Sequence, residues 1–347
     1  MCGIIIIVKH IYLALECHHY EAVYIREQRK IEENPTVYGG DFEDPALKDG
    51  QVLVRVQASG VCHTDLHIVE GDVPVPRELF PLIPGHEIVG GEVIESRNPR
   101  VKEGTRVGIG WFYDACGKCE YCVSGRENLC PPSATVTGIN HHGGYAELVS
   151  LNGDYVTPIP EGLPSEQAAP PLFCAGITAY TAVKRVRPEP GKRVAVFGVG
   201  GLGHYAIQLI EATGAKAVAI TSRHARLAQE AGASQVLEKP EGPYDAAIVF
   251  APNSRAVAEA ARSVKPGGTV VVPAIMDRIE IPFTSFTWEK DITSVASGFR
   301  KDARAVLGLA ADGVLRSMVK QRRLSEAGTV LRELKEGKVE GRVVLKP

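Results

Sequence analysis

The pattern of apolar and polar positions divides the chain into two regions of different character. From about residue 20 to about residue 170, short runs of β-forming residues are separated by turns rich in Gly and Pro. Examples are QVLVRVQASGV at 51–61, HEIVGGEVIE at 86–95 and YAELVSL at 145–151. Short strands that are interrupted so often predict an irregular all-β domain.

After Cys174, short apolar strands alternate with helical stretches. The strands read RVAVFG, AKAVAIT, SQVLE, YDAAIVFA and GTVVVPAI. Helical stretches between them include HYAIQLIEATG at 204–214 and HARLAQEAGA at 224–233. This alternation predicts βαβ units and a parallel sheet. Two more helical segments and a closing strand, GRVVLKP, follow after about residue 300. We therefore expect an α/β fold class with a separate β-rich part.

The composition narrows the range of partners. The chain has 347 residues, of which 44% are hydrophobic and 23% charged, with a formal net charge of −2. This length and balance predict two globular domains and do not favour binding to nucleic acid. No apolar run approaches the roughly 20 residues that span a bilayer. We expect a cytoplasmic protein that acts on a small molecule. Residues 1–19 make a poor signal peptide and are interpreted as an N-terminal extension.

Four cysteines in the segment ACGKCEYCVSGRENLC give the sharpest chemical signal. Cys116, Cys119, Cys122 and Cys130 follow the pattern C-x2-C-x2-C-x7-C. Four thiolates can close a tetrahedron around one Zn²⁺ and leave no open position, as in a structural site. An iron–sulfur cluster usually has a shorter last gap, and a disulfide knot fits poorly with a long chain without a secretion signal. Zinc is the favoured interpretation, and the other two remain open.

A glycine-rich segment, VFGVGGLGH, opens the first helix of the second region. It contains Gly198, Gly200, Gly201, Leu202 and Gly203. A lone G-x-G-x-x-G pattern is weak, but here an apolar strand precedes it and an amphipathic helix follows. Such glycines allow a tight turn and a close approach of the backbone to a pyrophosphate at the helix N-terminus. We predict a dinucleotide site, with an ordinary glycine-rich turn as the alternative.

The end of the next strand indicates which dinucleotide binds. An Asp or Glu about 20 residues after the glycines would hold the ribose hydroxyls of NAD. The strand AKAVAIT instead ends in Thr221, Ser222 and Arg223. Two hydroxyls followed by a guanidinium would accommodate the 2′-phosphate of NADP, so we expect NADP to be favoured over NAD. The alternative is that these are solvated loop residues and that NAD binds without the acid.

A second set of metal-binding residue types is spread along the chain. Cys62 lies in GVCHTDLH, His86 in PGHE and Cys174 in LFCAGIT. Two cysteines and one histidine leave one position open on a zinc ion, which is the arrangement of a catalytic site. Spacing alone does not join the three residues. Taken singly, the cysteines are interpreted equally well as small buried hydrophobes and the histidine as a loop residue.

A resemblance to a known family joins these pieces. The chain resembles the zinc-dependent medium-chain alcohol dehydrogenases, most of all their bacterial and yeast-type branch. The matching motifs, in the family's order, are GVCHTDLH, PGHE, the four-cysteine segment, GGYAE, CAGIT, GVGGLG and GRVVL. The resemblance implies a GroES-like β-rich catalytic domain, residues 20–172 and 299–347. It also implies a Rossmann coenzyme-binding domain with a doubly wound parallel sheet, residues 173–298.

The resemblance also implies roles for the residues at matching positions. It implies two zinc ions per chain, a catalytic one bound by Cys62, His86 and Cys174, and a structural one bound by the four cysteines. Four catalytic side chains would surround the first ion: Thr64 as proton acceptor, His67 as the outer end of a proton relay, Asp65 as the acid that orients a ligand, and Glu87 as a carboxylate near the metal. Near the cofactor pyrophosphate would lie His63 and Arg342. In the walls of the substrate pocket would lie Val73 and Trp111.

The activity implied is reversible hydride transfer between NAD(P) and a primary, secondary or aromatic alcohol or the corresponding aldehyde, in a homodimer or homotetramer. Zinc would lower the pKa of the bound alcohol, and the proton would pass through Thr64 to His67. One alternative is a polyol or sugar dehydrogenase of the same superfamily, which often has a carboxylate in place of one catalytic cysteine. Another is a non-catalytic NADPH-binding protein, which usually lacks the zinc ligands. The intact cysteines favour the alcohol dehydrogenase.

Overall fold

A computed structural model describes residues 19–130, 135–276 and 278–347 of the chain. The predicted N-terminal extension, residues 1–19, lies outside the described residues except for His19, where the first strand begins. Among the helices of these described ranges, none has both the length and the apolar character needed to cross a membrane.

The described residues form fifteen strands and nine α-helices. The strands are β1 (His19–Ile25), β2 (Thr36–Glu43), β3 (Gln51–Gly60), β4 (Glu87–Ser96), β5 (Val107–Ile109), β6 (Leu148–Asn152), β7 (Thr157–Pro158), β8 (Arg193–Phe197), β9 (Lys216–Ile220), β10 (Gln235–Leu237), β11 (Tyr244–Val249), β12 (Val264–Val271), β13 (Asp291–Thr293), β14 (Val319–Arg323) and β15 (Arg342–Lys346). The helices are α1 (His63–Glu70), α2 (Glu120–Val123), α3 (Ser165–Phe173), α4 (Ala175–Val186), α5 (Gly203–Ala212), α6 (Ala225–Glu230), α7 (Ser254–Ser263), α8 (Arg300–Ala311) and α9 (Ala327–Lys335).

The β-rich part of the chain forms a seven-stranded sheet in the order β14-β15-β3-β4-β5-β7, with β6 paired to β3. Its pairings are antiparallel except that of β14 with β15. Strands β3 and β4 cover the predicted segments 51–61 and 86–95. The predicted strand at 145–151 begins later, at Leu148. The backbone of Gly144 and Tyr145 instead bonds to the loop at 84–85.

The second sheet is parallel throughout and has six strands in the order β10-β9-β8-β11-β12-β13. In order along the chain this is 3-2-1-4-5-6, the strand order of a Rossmann fold. The central strands β8, β9 and β11 are mostly apolar and buried, as expected where helices cover both faces of a parallel sheet. The predicted α/β class, with a β-rich part and a parallel sheet, is confirmed.

Helix α7 was not predicted from the sequence. Asn253 caps it, since its side-chain oxygen accepts a hydrogen bond from Ala256 N at 2.9 Å. The buried face of the helix is made of small residues, mainly Ala, and packs against the parallel sheet. Its segment, SRAVAEAARS, is amphipathic but contains only one large apolar residue, Val257, so it does not stand out as a helix with an apolar face, and the capping residue is the main sign of where it begins.

The strands of the six-stranded sheet are inserted in the sequence between two groups of strands of the seven-stranded sheet. The strands of the first sheet come from Gln51–Pro158 and Val319–Lys346, on either side of those of the second. The predicted domain bounds, 20–172 with 299–347 and 173–298, remain a prediction. A chain of hydrogen bonds joins the two parts: Tyr205 OH donates to Ser317 Oγ at 2.7 Å, and Ser317 Oγ donates to Gln167 O at 3.1 Å.

Candidate active site and metal centres

The structure brings the three predicted ligands of the catalytic metal into one cluster. Cys62 immediately precedes α1, His86 immediately precedes β4, and Cys174 is the single residue between α3 and α4. One ligand atom of each, together with a carboxylate oxygen of Glu87, lies within 4.8 Å of all the others. Residues far apart in the sequence therefore meet because the start of α1, the start of β4 and the junction of α3 with α4 lie close together.

The donor atoms of this cluster fit a zinc ion. The sulfurs of Cys62 and Cys174 are 3.8 Å apart, which is about the distance between two thiolates bound to one tetrahedral Zn²⁺ at about 2.3 Å. His86 is fully buried, and its Nε2 has no hydrogen-bond partner among the described residues. A buried nitrogen without a partner is costly unless it binds something else. The pKa of the Cys62 thiol is held well below its ordinary value, first by the hydrogen bond with Cys174 and then by His86.

Asp65 is fully buried and contacts two of the predicted ligand residues, Cys62 and His86. One of its oxygens lies 2.8 Å from His86 Nδ1. The other accepts hydrogen bonds from Cys62 N and from Tyr145 OH, both at 3.0 Å. Because Nδ1 is bonded to the carboxylate, the ring presents Nε2 to the thiols. Asp65 therefore lies where an acid that orients a histidine ligand is needed, on the side of the His86 ring away from the thiols.

Glu87 and Arg342 form a buried ion pair beside the cluster. The second carboxylate oxygen of Glu87 has no partner among the described residues. Burial raises the pKa of Glu87 to about 7, against the opposing effect of the Arg342 charge. The guanidinium also contacts the glycine segment, since a Cβ added to Gly201 would lie 2.8 Å from Arg342 Nη1. Arg342 thus links the metal cluster to the predicted dinucleotide site.

The predicted relay residues lie along α1. Thr64 Oγ1 is 3.7 Å from the Cys62 sulfur. His67 lies three residues further on, which in a helix is the same face. Its ring is about one-third exposed, and its Nδ1 lies 2.8 Å from Asp72 Oδ2. His63, the first residue of the helix, is exposed.

The four cysteines of the second set also meet, with their sulfurs all within 4.8 Å of one another. The distance is 3.9 Å between Cys116 and Cys122 and 4.0 Å between Cys119 and Cys130. Backbone amides support the thiolates: Cys116 N donates to Cys130 and Cys119 N to Cys116, both at 3.4 Å. Backbone amides of Lys118 and Cys119 lower the pKa of Cys116 to about 6. This closed set of four thiolates fits a structural zinc.

The glycine segment lies between β8 and α5, as the dinucleotide interpretation requires. Gly198 has a φ of +85°, which favours glycine, and a Cβ at Gly203 would lie 2.3 Å from Gly198 O. A Cβ at Gly200 would project into open space. Leu202 occupies the position just before α5. The loop therefore leaves room for a ligand where the amides at the start of α5 point.

The end of β9 holds the three residues predicted to select the cofactor. The Thr221 hydroxyl accepts hydrogen bonds from the amides of Arg223 and His224, at 3.4 and 3.2 Å. It is thus used in shaping the turn, while Ser222 and Arg223 are exposed. The Arg223 guanidinium leans over Gly337, where an added Cβ would lie 3.1 Å from Nη1. Its side chain has no hydrogen bond or ion pair with another described residue.

The two predicted pocket residues lie near the cluster. The Trp111 ring meets the His86 ring edge-on, with centroids 5.3 Å apart. Val73 follows α1 and is partly buried against the same apolar core as Trp111. The contact between Trp111 and His86 places an apolar wall beside the position where a metal-bound substrate would lie.

The sequence analysis missed two residues that the structure brings to the site. Tyr145 donates to Asp65, and Asp72 contacts His67. Tyr145 lies in the GGYAE motif, which therefore contained the signal. Asp72 follows Gly71, a helix-ending residue, and a carboxylate five residues after a relay histidine carries no pattern of its own.

Comparison with known proteins bears on what this site does. Residues 48–161 match the alcohol dehydrogenase GroES-like domain family. An alcohol dehydrogenase of Geobacillus stearothermophilus is 41% identical over 323 residues, which cover 88% of this chain and 94% of that protein.

Solved structures give the same result. A cobalt- and zinc-bound thermostable alcohol dehydrogenase of Pyrobaculum aerophilum matches with a TM-score of 0.84 at 26% identity, covering 95% of this chain and 100% of that one. An acetophenone reductase of Geotrichum candidum in complex with NAD matches with a TM-score of 0.84 at 25% identity, over 95% and 97% of the two chains. These similarities extend over both sheets. The chain belongs to the zinc-dependent medium-chain alcohol dehydrogenase family.

Proposed function

We propose that the protein interconverts primary, secondary or aromatic alcohols and their carbonyl compounds, using a catalytic zinc held by Cys62, His86 and Cys174 and a nicotinamide dinucleotide. The observation that carries this proposal is the buried Nε2 of His86, which has no partner among the described residues and faces two thiols 3.8 Å apart. A second zinc is assigned to the four-cysteine set. Both sets need reduced thiols, which fits a cytoplasmic protein.

The residues around the metal cluster have distinct tasks. When bound, zinc supplies a Lewis acid that polarises the substrate oxygen and lowers the pKa of an alcohol. Asp65 fixes the His86 ring so that Nε2 is available as a ligand, and Tyr145 keeps that carboxylate in place. Trp111 provides an apolar wall that keeps water from the reacting oxygen.

The proton of the alcohol leaves along α1. The Thr64 hydroxyl lies next to the Cys62 sulfur. A hydroxyl can accept one hydrogen bond while it donates another, so Thr64 can accept from the alcohol and donate along the relay. His67 lies one turn along the same face and is partly exposed, so it can release the proton to solvent. A nicotinamide dinucleotide bound at the glycine segment would supply the redox chemistry by accepting the hydride.

We predict that His86→Ala removes the catalytic zinc and lowers turnover to below about 1% of the parent rate, since a positioned catalytic group is worth about 10²–10⁴-fold. Dinucleotide binding should stay within about threefold, because the glycine segment lies on another element. Zinc per chain, alcohol oxidation and NADPH fluorescence titration test this. The control is His19→Ala, which changes an exposed histidine at the start of β1. Retained zinc together with more than a few per cent of activity in His86→Ala would refute the proposal.

The preference for NADP is proposed from the end of β9. A 2′-phosphate would meet Ser222 and Arg223, which are exposed, and no carboxylate is present in the turn at 221–223. Arg226, the next cation along the chain, is paired with Glu230 at 2.7 Å. Arg223 therefore supports the preference for NADP, because its planar guanidinium is free to bind phosphate oxygens in two places at once.

We predict that Arg223→Ala lowers the ratio of kcat/KM for NADPH over NADH by about tenfold to a hundredfold, since a charge-assisted hydrogen bond is worth about 1.5–3 kcal/mol. The matched control, Arg226→Ala, should leave that ratio within about twofold, because its guanidinium is already paired. A parent that prefers NADH, or an unchanged ratio in Arg223→Ala, contradicts this assignment.

The protein is also proposed to form a homo-oligomer, built on a dimer. Five large apolar side chains in the segment between β12 and β13 are exposed, and we call them the apolar face: Ile275, Ile279, Phe283, Phe286 and Trp288. Their segment leads into β13, which pairs only with β12 among the described strands. An edge strand beside an exposed apolar surface supports pairing of two copies across this edge.

A further inference from the structure

The outer end of the proposed relay contacts a carboxylate that has no assigned role. His67 Nδ1 lies 2.8 Å from Asp72 Oδ2. Both side chains are partly exposed, at 32% for His67 and 49% for Asp72. With Nδ1 engaged, the second ring nitrogen, Nε2, has no hydrogen bond to another described residue. The contact therefore decides which nitrogen of the ring is available.

The local fold builds this contact rather than leaving it to chance. Helix α1 ends at Gly71, which has a φ of +84° and allows the chain to turn back. Asp72 N then donates to His67 O at 2.9 Å, so that the backbones of the two residues are bonded as well as their side chains. On the other side, Gln28 Nε2 donates to Ile68 O and, at 2.7 Å, to Val73 O. The turn that carries Asp72 is thus held at both ends.

The charges around Asp72 keep it ionised. Lys30 Nζ lies 3.6 Å from Asp72 Oδ1 and 3.6 Å from Glu70 Oε2, and Glu70 is also paired with Lys335 at 2.7 Å. The hydrogen bond with His67, and after it the charge of Lys30, lower the pKa of Asp72. The other titratable group near the ring on this helix is His63. Asp72 is therefore the one carboxylate among the described residues that bonds directly to the His67 ring.

We propose that Asp72 is a positioning residue for the proton relay. Its carboxylate accepts the hydrogen bond from His67 Nδ1–H, so that Nε2 faces the relay as the acceptor, and its charge stabilises the ring while the ring carries the proton. The proton that leaves the alcohol arrives at Nε2 and departs to solvent, and Asp72 itself is not protonated. The inference rests on the proposed function, because it takes His67 as the outer end of the relay.

The experiment is a double-mutant cycle on the zinc-loaded enzyme, with benzyl alcohol as the probe substrate and kcat measured across pH. The variants are Asp72→Asn, His67→Gln and the two combined. Asp72→Asn should lower kcat at neutral pH by about twofold to fivefold, the size that a partly exposed ion pair supports. The matched control is Asp312→Asn, which changes an exposed aspartate at the end of α8 that has no side-chain partner among the described residues.

The cycle separates this inference from the function on which it rests. If Asp72 acts through His67, Asp72→Asn adds no loss in the His67→Gln background. An equal loss in both backgrounds would mean that Asp72 only stabilises the turn, and the inference would be wrong while the relay stands. If His67→Gln itself leaves kcat and its pH profile unchanged, the relay fails, and the role of Asp72 fails with it.

Discussion

His204 lies in the first turn of α5 and has no exposed surface. Its Nδ1 is 2.9 Å from Gly200 O, and its Nε2 has no partner among the described residues. The ring packs against Tyr205 with centroids 3.9 Å apart. Burial lowers the pKa of His204 to about 4, from an ordinary value of 6.5. The folded protein therefore keeps this ring neutral under conditions in which an unfolded chain would protonate it.

This difference in the pKa of His204 makes the free energy of unfolding depend on pH. Between the two pKa values the unfolded state binds one more proton, so the free energy of unfolding falls as pH falls and is independent of this group above about pH 7. Going from about pH 7.5 to about pH 5.5, His204 should cost about 1 kcal/mol. Urea unfolding of the parent and of His204→Asn, without nucleotide, measures it. The Asn amide can still donate to Gly200 O, so the variant should lose less stability over this range. Equal losses would show that His204 is not neutral in the folded state.

Single residues also mark the limit of what the sequence could predict. Cys62, His86 and Cys174 were predictable because each lies in a motif that the family resemblance recognises. Asp72 and the buried pair of Glu87 with Arg342 were not, because each contact depends on how a loop or a distant strand returns to the site. The position of Glu87 and that of Arg342 were predicted separately, but nothing in their spacing indicated that they bond to each other.

At the scale of elements, the segment from Cys116 to Cys130, which we call the cysteine lobe, has little regular structure. Within it, α2 has only four residues. The lobe is joined to the rest of the protein through Glu127, which accepts a hydrogen bond from Arg300 Nε at 3.1 Å. Asn128 Nδ2 adds a second link by donating to Ala296 O at 2.8 Å. Because no residue of α2 is buried, we expect the proposed structural zinc to hold the shape of this segment.

We predict that Cys119→Ser releases one zinc per chain and exposes the lobe to proteases, with a loss of unfolding free energy on the order of several kcal/mol. The matched control, Cys174→Ser, should release the other zinc and abolish activity while the lobe stays protected. Zinc per chain by atomic absorption and limited proteolysis with mass spectrometry distinguish the two. A Cys119→Ser variant that keeps two zinc ions and its protease resistance would contradict the structural role.

The sequence predicted elements well where a strong period was present. Five of the six strands of the parallel sheet and helix α5 were recognised because apolar runs and an amphipathic face leave clear patterns. Strand β13 was missed because its three residues, DIT, include only one apolar side chain. Helix α7 was missed although it is amphipathic, because its buried face is mostly alanine and includes only one large apolar residue, Val257. Cys174 was predicted as a metal ligand, but not as the single residue between α3 and α4. Its position was missed because both helices contain many apolar residues and Cys174 itself is not a helix-breaking residue type.

At the scale of the whole molecule, the apolar face defined above accounts for five of the large apolar side chains exposed among the described residues. Phe283 and Trp288 are 74% and 76% exposed, and Ile275 is 67% exposed. Large apolar side chains grouped together on a surface usually mark an interface. Because their segment leads into β13, whose other edge pairs with no described strand, we propose that a two-fold related copy extends the sheet and covers the face at the same time.

We predict that the parent is at least dimeric and that the double variant Ile275→Ser and Phe283→Ser is monomeric at micromolar concentration, since it removes two central contacts of the apolar face. Light scattering coupled to size-exclusion chromatography measures the mass. The control is Val123→Ser, which removes an exposed apolar side chain from the cysteine lobe, where Val123 is 72% exposed. A monomeric parent, or an unchanged mass in the double variant, would rule out this interface.

The interleaving of the two sheets has a consequence for synthesis of the protein. Strand β3 pairs with β15 through Gly60 with Val344 and Ser59 with Leu345. The whole parallel sheet is translated between these partners. While a ribosome makes that sheet, β3 has one neighbour missing, and the cluster around Cys62 lacks Arg342. Domains fold roughly in the order in which they emerge. The coenzyme-binding half can therefore complete its fold during translation, whereas the metal-binding half must keep an open edge until β15 arrives.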